Sequence, residues 1–167
     1  MPAETLRNFV DVASRNVDHI FRRNGIVRPM WHAVARDGEE LVFPTPHTDK
    51  DIAVAMVRAL FELRDVVRYV LVDEAWIVAA FGPNVTPEQM AAVREAVITG
   101  ATASPAREEV VMLCAEDHAE GCLMARRKII RPPSGRPKLG PLEFDPRGGE
   151  LRGRFLGLLP RKSTTLQ

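Results

Sequence analysis

The first residues that could do chemistry are two cysteines and a histidine at regular spacing. Cys114, His118 and Cys122 are each separated by three residues, and thiolate and imidazole are ligands that zinc prefers. If the cysteines lie in the two arms of a hairpin, His118 lies at its tip, roughly 13 Å along the chain from either thiol, which is too far to share an ion. We therefore expect no metal site and no cofactor, and we keep these three residues as the candidate metal ligands.

The same two cysteines are too few for a disulfide framework. A four-residue hairpin loop would place Cys114 and Cys122 on opposite faces of the sheet, where they could not form a disulfide, whereas a loop of odd length could bring them together. We interpret them as buried thiols that pack as small apolar side chains.

His32 is the residue best suited to act as a general base, and Trp31 beside it could wall a pocket. On an apolar strand, however, a histidine is more often a core side chain. The sequence contains no nucleophile-elbow, P-loop, zinc-protease or dinucleotide-binding motif. We therefore predict a binding or scaffold module without enzymatic activity, and we keep an enzyme with a motif-free site around His32 as an alternative.

Two pairs of adjacent carboxylates could also serve acid–base or metal chemistry. They are Asp73-Glu74 and Glu116-Asp117. Both pairs fall where we predict turns between strands, and acids are common at such turns. We therefore interpret both pairs as solvated turn residues.

The charge of the chain is divided unevenly along its length. Residues 1–120 hold 12 basic and 19 acidic side chains, a net charge of −7, whereas residues 121–167 hold 11 and 3, a net charge of +8. Clustered positive charge can bind nucleic acid, which makes nucleic-acid binding the runner-up function. Its candidate residues are Arg126, Arg127, Lys128, Arg131, Arg136 and Lys138. We favour a basic segment that is solvated or packed against the chain's own acidic residues, because few aromatic side chains accompany it.

The same asymmetry favours self-association as a two-fold dimer, because oppositely charged surfaces can meet twice across the axis. The apolar stripe of residues 6–21, or an uncovered strand edge, could supply the centre of that interface. We expect a cytoplasmic protein without membrane contact, because no apolar run approaches the ~20 residues that a membrane helix needs and the first residues lack a secretory signal.

The elements that must position these side chains begin with a hairpin at Asp37-Gly38. This pair between two apolar runs is typical of a two-residue type I′ turn. Such a turn places Val34 opposite Leu41 and His32 opposite Phe43. It puts the following residues on one face of the sheet: Met30, His32, Val34, Leu41 and Phe43.

A helix over residues 49–64 should follow, with Thr48 as its N-cap. Its core-facing stripe is predicted from the helical spacing of apolar residues. The stripe comprises Ile52, Met56, Leu60 and Leu63, widened by Val57 and Phe61. A second hairpin is then predicted from strands at 66–72 and 75–81, with Asp73-Glu74 as the turn.

The remaining elements are two further helices and two further hairpins. One helix spans 5–23 and ends at Asn24-Gly25, and another runs from Thr86-Pro87 to Gly100. Residues 109–115 and 122–130 form one hairpin, and 142–145 with 151–159 another. The predicted fold class is α+β: a mainly antiparallel sheet built from successive hairpins, with about three helices packed on it. We expect a single domain over 1–160 and a flexible tail at 161–167.

Overall fold

The computed structural model describes residues 4–78, 85–146 and 155–161. The end of the predicted 75–81 strand, the turn of the last predicted hairpin and most of the predicted tail lie outside the described residues. The described elements are α1 (Leu6–Asn24), β1 (Met30–Ala35), β2 (Glu40–Pro44), α2 (Lys50–Leu63), β3 (Val66–Ile77), α3 (Pro87–Thr99), a 3₁₀ turn (Ala101–Ala103), β4 (Glu108–Asp117), β5 (Gly121–Ile130), β6 (Lys138–Leu139) and β7 (Glu143–Phe144).

Within these residues, seven antiparallel strands form one sheet in the order β2-β1-β3-β4-β5-β6, with β7 also paired to β5. The predicted α+β class and antiparallel sheet are confirmed. Helix α1 packs on one face of the sheet, which we call the α1 face, against Val70, Val111 and Leu113. Helix α2 packs on the opposite face, the α2 face, against Trp31 and Tyr69.

Helix α1 forms as predicted. The Thr5 hydroxyl accepts a hydrogen bond from the Asn8 N–H at its start. At its end, Gly25 adopts φ +72° and its N–H donates to the Phe21 carbonyl, a conformation that favours glycine. None of the described helices has the length and apolar character needed to cross a membrane.

The first hairpin is present, but its predicted turn and register are wrong. The Ala35 N–H donates to the Glu39 carbonyl at 2.9 Å, so three residues close the loop, and Gly38 takes φ +91°. This is the turn with a left-handed glycine that is common in three-residue hairpins. Ala33 consequently faces Leu41.

A shift of one residue moves every side chain of a strand to the other face. Trp31 and Ala33 therefore share the α2 face with Leu41 and Phe43. His32, which we predicted on the same face as Phe43, instead faces Val42.

Helix α2 also turns a different side to the core than predicted. Asp49, not Thr48, caps it by accepting from the N–H groups of Asp51 and Ile52. Its buried residues are Ala53 together with Val57 and Phe61, the two residues that were predicted to widen the stripe. The predicted stripe of Ile52, Met56 and Leu63 is exposed to solvent, and Leu60 is half-buried.

The second predicted hairpin does not exist, because β3 continues through Asp73-Glu74 as a single twelve-residue strand. Asp73 pairs with Met112 and Glu74 with Val111 in the β3–β4 register. The Glu74 carboxylate accepts from the Val27 N–H at 2.6 Å. The pair contains neither Gly nor Asn, so nothing in it favours a tight turn over an extended strand.

The β4–β5 hairpin is confirmed, with a three-residue loop between Asp117 and Gly121. The last predicted hairpin is wrong in its described part, because β7 pairs with β5 and residues 155–161 contain no strand. These residues instead form a segment across the α2 face, which we call the strap. Leu158 of the strap is fully buried beside Trp31.

Candidate functional site

A cavity of about 630 Å³ lies where β1 begins, β2 ends and α2 begins. Its volume is within the range that suits a small-molecule ligand. Apolar walls come from Pro29, Pro44, Pro46, Ala53, Leu71 and Phe155, and polar groups from Arg28, Thr45, His47, Thr48, Lys50 and Asp73. The cavity thus combines an apolar lining with a few polar groups that converge on it.

Pro44 at the end of β2 and Pro46 just after it shape this cavity, because each lacks a backbone N–H and has a fixed φ angle. Thr45 holds the segment in place: its N–H donates to the Pro29 carbonyl at 3.1 Å, and its hydroxyl accepts from Trp31 Nε1 at 3.0 Å. His47 Nδ1 then accepts from the Asp49 N–H at 2.9 Å. The neutral His47 ring therefore carries its proton on Nε2.

Asp73 projects from β3 on the α2 face, since it lies two residues beyond Leu71 on the same strand. Burial raises the pKa of its carboxyl group, and the neighbouring Glu74 charge acts in the same direction. A backbone hydrogen bond and the Lys50 ammonium oppose the shift in pKa without cancelling it. Asp73 is therefore easier to protonate than a free aspartate.

The charges in the cavity are unbalanced in favour of cations. Arg28 and Lys50 face a single carboxyl group, Asp73. A molecule that brings one negative charge would meet two cations and an acid that protonates readily. The arrangement is suited to binding a ligand with an apolar body and an anionic head group.

His32, the candidate general base, lies outside this cavity. The structure places it on the α1 face, where its ring packs against Phe9 with 4.8 Å between the ring centroids. Its Nε2 lies 3.1 Å from Glu40 Oε2. The cavity and His32 are therefore on opposite sides of β1.

The three metal-ligand candidates are not brought together. His118 Nε2 donates to the Pro160 carbonyl at 2.7 Å and so fixes the strap. Cys114 faces Met124 and Cys122 faces Glu116, so the thiols lie diagonally on the same face, and both are free. Nowhere in residues 4–78, 85–146 and 155–161 do three or more His, Cys, Asp or Glu side chains form a group able to hold a metal ion.

Burial makes the thiols less reactive. It raises the pKa of Cys114 to about 11, with the Asp73 charge adding to the effect. Burial and the Glu116 charge also raise the pKa of Cys122. The thiolate is the nucleophilic form, so both groups are mostly inert near neutral pH.

The carboxylates Glu116 and Asp117, which we predicted to be solvated, are hydrogen-bonded strand residues. Glu116 accepts from the Tyr69 hydroxyl at 2.8 Å and from two N–H groups of the strap. Asp117 is buried and accepts from Arg68 Nε at 2.7 Å. Both have structural partners, and the interpretation as turn residues is wrong.

Four of the six nucleic-acid candidates pair with acids of their own chain. Arg126 bonds to Glu108 and Glu143, and Lys128 also pairs with Glu108. The other two pairs are Arg127 with Asp18 and Arg131 with Glu109. Arg136 and Lys138 are exposed. Much of the basic segment is therefore neutralised within the molecule.

Sequence reasoning missed Arg28, Lys50 and Asp73 as members of one site. A usable signal was present, because Asp73 interrupts an apolar β-branched run, where a charged group is costly unless it has a role. No signal showed that Arg28 and Lys50 would meet it, since that depends on how α2 lies against β3. Comparison with known protein families, curated proteins and solved structures gave no match to this chain.

Proposed function

We propose that this protein is a binding module whose cavity takes a small molecule with an apolar body and one anionic head group. The observation that carries the proposal is the cavity of about 630 Å³ with Arg28, Lys50 and the half-buried Asp73 set among apolar walls.

The charge arrangement supports an anion over a cation. An anionic head group near Lys50 and Arg28 would further raise the pKa of Asp73, because a second negative charge disfavours ionisation. The protonated Asp73 can then donate a hydrogen bond to the ligand. Binding is therefore coupled to proton uptake, and affinity should rise as the pH falls towards the pKa of Asp73.

The fluorescence of Trp31 can report binding in the cavity. Trp31 donates to Thr45, which lines the cavity, and its ring packs against Phe155 in the opposite wall. The second tryptophan, Trp76, is on the opposite face of β3 and partly exposed. A Trp76→Phe variant would leave Trp31 as the single tryptophan, so that its emission can be excited selectively.

The proposal can be tested in that variant with three probes that share one tail: octanoate, octanol and octylammonium. We expect octanoate to bind most tightly and octylammonium most weakly. Lys50→Gln and Arg28→Gln should each weaken octanoate roughly 2- to 5-fold, the effect of one partly exposed charge, and leave octanol unchanged. Arg15→Gln, on the exposed side of α1, is the matched control.

Equal affinity for the three head groups would contradict the anion preference. No change in Trp31 emission with any probe, confirmed by calorimetry, would contradict the binding function itself. The Asp73→Asn variant should bind octanoate with an affinity that no longer rises as the pH falls from about 7 to about 6, a range in which the carboxylate of the probe stays ionised.

A further inference from the structure

The helix α2 carries a second apolar stripe that nothing in the described residues covers. Ile52, Met56 and Leu63 are 47%, 46% and 80% exposed. Their spacing of four and seven residues places them on one side of the helix, distinct from the buried side that carries Ala53 and Val57. Isolated exposed apolar residues are ordinary, but an aligned set on one helix marks an interaction surface.

This stripe faces the open side of the sheet. Arg58 Nη2 reaches the Gly157 carbonyl of the strap at 3.5 Å, so the strap lies on the Arg58 side of α2. The stripe is rotated about 140° from Arg58 around the helix, at ~100° per residue. It therefore points away from the strap, towards β2.

Helix α2 also runs alongside β2, in the opposite direction. Arg64, directly after α2, pairs with Glu39, directly before β2, at 2.9 Å. The stripe is roughly 16 Å long at 1.5 Å per residue, and β2 is roughly 14 Å from its first to its last residue. The two features form one surface of matched length.

Strand β2 is the terminal strand on this side of the described sheet. The Ala35 N–H bonds to Glu39 and the Thr45 N–H bonds to Pro29. Hydrogen-bonded and non-bonded pairs alternate along an antiparallel ladder, so residues 39, 41, 43 and 45 bond inwards to β1. The backbone groups of Glu40, Val42 and Pro44 point outwards, and the Val42 side chain is 63% exposed.

This outward row of backbone groups is complementary to itself. With Val42 on a two-fold axis, the Val42 N–H and carbonyl of each copy bond to those of the other. The Glu40 N–H then donates to the carbonyl of Pro44 in the second copy. Pro44 has no backbone N–H, but this bond needs only its carbonyl as acceptor. The pairing thus makes four hydrogen bonds.

The two-fold axis would also bring the two α2 helices side by side and antiparallel. The acidic start of one helix, with Asp49 and Asp51, then lies near the end of the other, where Arg64 follows. The helix dipoles favour this orientation, and Arg64, which also pairs with Glu39 of its own chain, can approach the acidic start of the other helix. The Ile52, Met56 and Leu63 stripes meet above the joined strands.

We propose that two copies of this chain associate through β2, which continues the sheet across a two-fold axis, and through the exposed stripe of α2. The dimer does not depend on the proposed ligand or on the charges of the cavity. It uses the chain's own strand as the partner because the hydrogen-bond pattern and the charge order of α2 both match a second copy.

Sedimentation velocity and light scattering test the proposal with two variants. Val42→Pro removes the outward N–H and no bond to β1, and proline is tolerated on edge strands. Met56→Lys places a charge in the stripe. We expect the wild type to have the mass of two 18.6 kDa chains and both variants to have the mass of one.

Three controls keep the result interpretable. Val42→Thr retains the N–H and the β-branched shape, so it should remain a dimer. Val97→Lys changes an apolar residue of α3 that is 81% exposed, and it should also remain a dimer. Circular dichroism must show that each variant is folded, and for a proline variant that fails to fold, Val42→Lys replaces it.

A wild type with the mass of one chain would overturn the proposal. A dimer that survives Val42→Pro, or Val42→Lys in its place, would also overturn the proposal. So would a dimer that survives Met56→Lys, because the interface requires both surfaces. Pairing with a different protein through β2 would appear as a monomer of the pure chain, and this outcome also contradicts the self-association that we propose.

Discussion

The Glu116 carboxylate holds the strap onto the sheet, and replacing it should weaken the whole α2 face. Its Oε2 accepts from the Tyr69 hydroxyl at 2.8 Å, from the Gly157 N–H at 2.8 Å and from the Leu158 N–H at 3.1 Å. The variant Glu116→Gln keeps the size of the side chain and one oxygen but removes the charge.

The expected loss of stability follows from these three bonds. A hydrogen bond to a charged group contributes about 1.5–3 kcal/mol and a neutral one about 1. Three bonds weakened by about 1 kcal/mol each give an upper value near 3 kcal/mol. Because Gly157 is exposed and its N–H can bond to water instead, we expect a loss of about 2 kcal/mol. For a chain of this size, that lowers Tm by about 4–8 °C.

Urea denaturation followed by circular dichroism measures the loss, with Glu95→Gln on the exposed side of α3 as the control. Hydrogen exchange provides a local measurement, because the amides of Gly157 and Leu158 lose their charged acceptor in Glu116→Gln and should exchange faster. A change below about 0.5 kcal/mol, which is typical of surface substitutions, would refute the reasoning. So would unchanged exchange at the strap.

The other predictions concern the thiols, the cavity acid and the basic segment. Iodoacetamide should modify Cys114 very slowly at pH 8 and faster up to its pKa of about 11, and a rate that is independent of pH would contradict the burial. Asp73→Asn should raise the urea midpoint at pH 7 and not at pH 3. A raised carboxyl pKa costs stability from the pH at which the unfolded group ionises, and the cost is complete above the folded pKa, whereas at low pH both states are protonated. Arg126→Ala should lower stability by about 1 kcal/mol, because it removes a buried partner of two acids, while Glu108 keeps Lys128 and Glu143 remains accessible to water. The wild-type protein should not be retained on DNA at ~50 mM salt. If it is retained, and Arg136→Ala abolishes the retention, the nucleic-acid hypothesis is restored.

The sequence predicted the class of the fold because the main signals are local. Thr5 and Gly25 mark the ends of α1, and Thr86-Pro87 marks the start of α3, where Thr86 and Gln89 form a capping box. Hydrogen bonds within a few residues of each other decide these points.

The errors arose where a tertiary contact decided between two locally acceptable structures. Asp37-Gly38 suits a two-residue or a three-residue loop. The register of the three-residue loop places Leu41 and Phe43 on the same face as Trp31, which packs there against Phe61. Both stripes of α2 are apolar, so periodicity could not show which one the sheet would cover. The cavity followed from these two outcomes, because Lys50 and Asp73 meet only once α2 is placed on the correct face.

The position of the strap in the chain has a consequence for synthesis on the ribosome. Domains generally fold as their amino-terminal parts emerge, and β1 to β5 are complete before residues 155–161 are made. Until then the buried aromatic side chains of Trp31, Phe61 and Tyr69 lack Leu158, which covers them in the finished protein. The nascent chain therefore leaves this aromatic cluster without its Leu158 cover for the time needed to add about 25 residues after β5, roughly seconds at the rate of synthesis, and a chaperone could bind the cluster in that period.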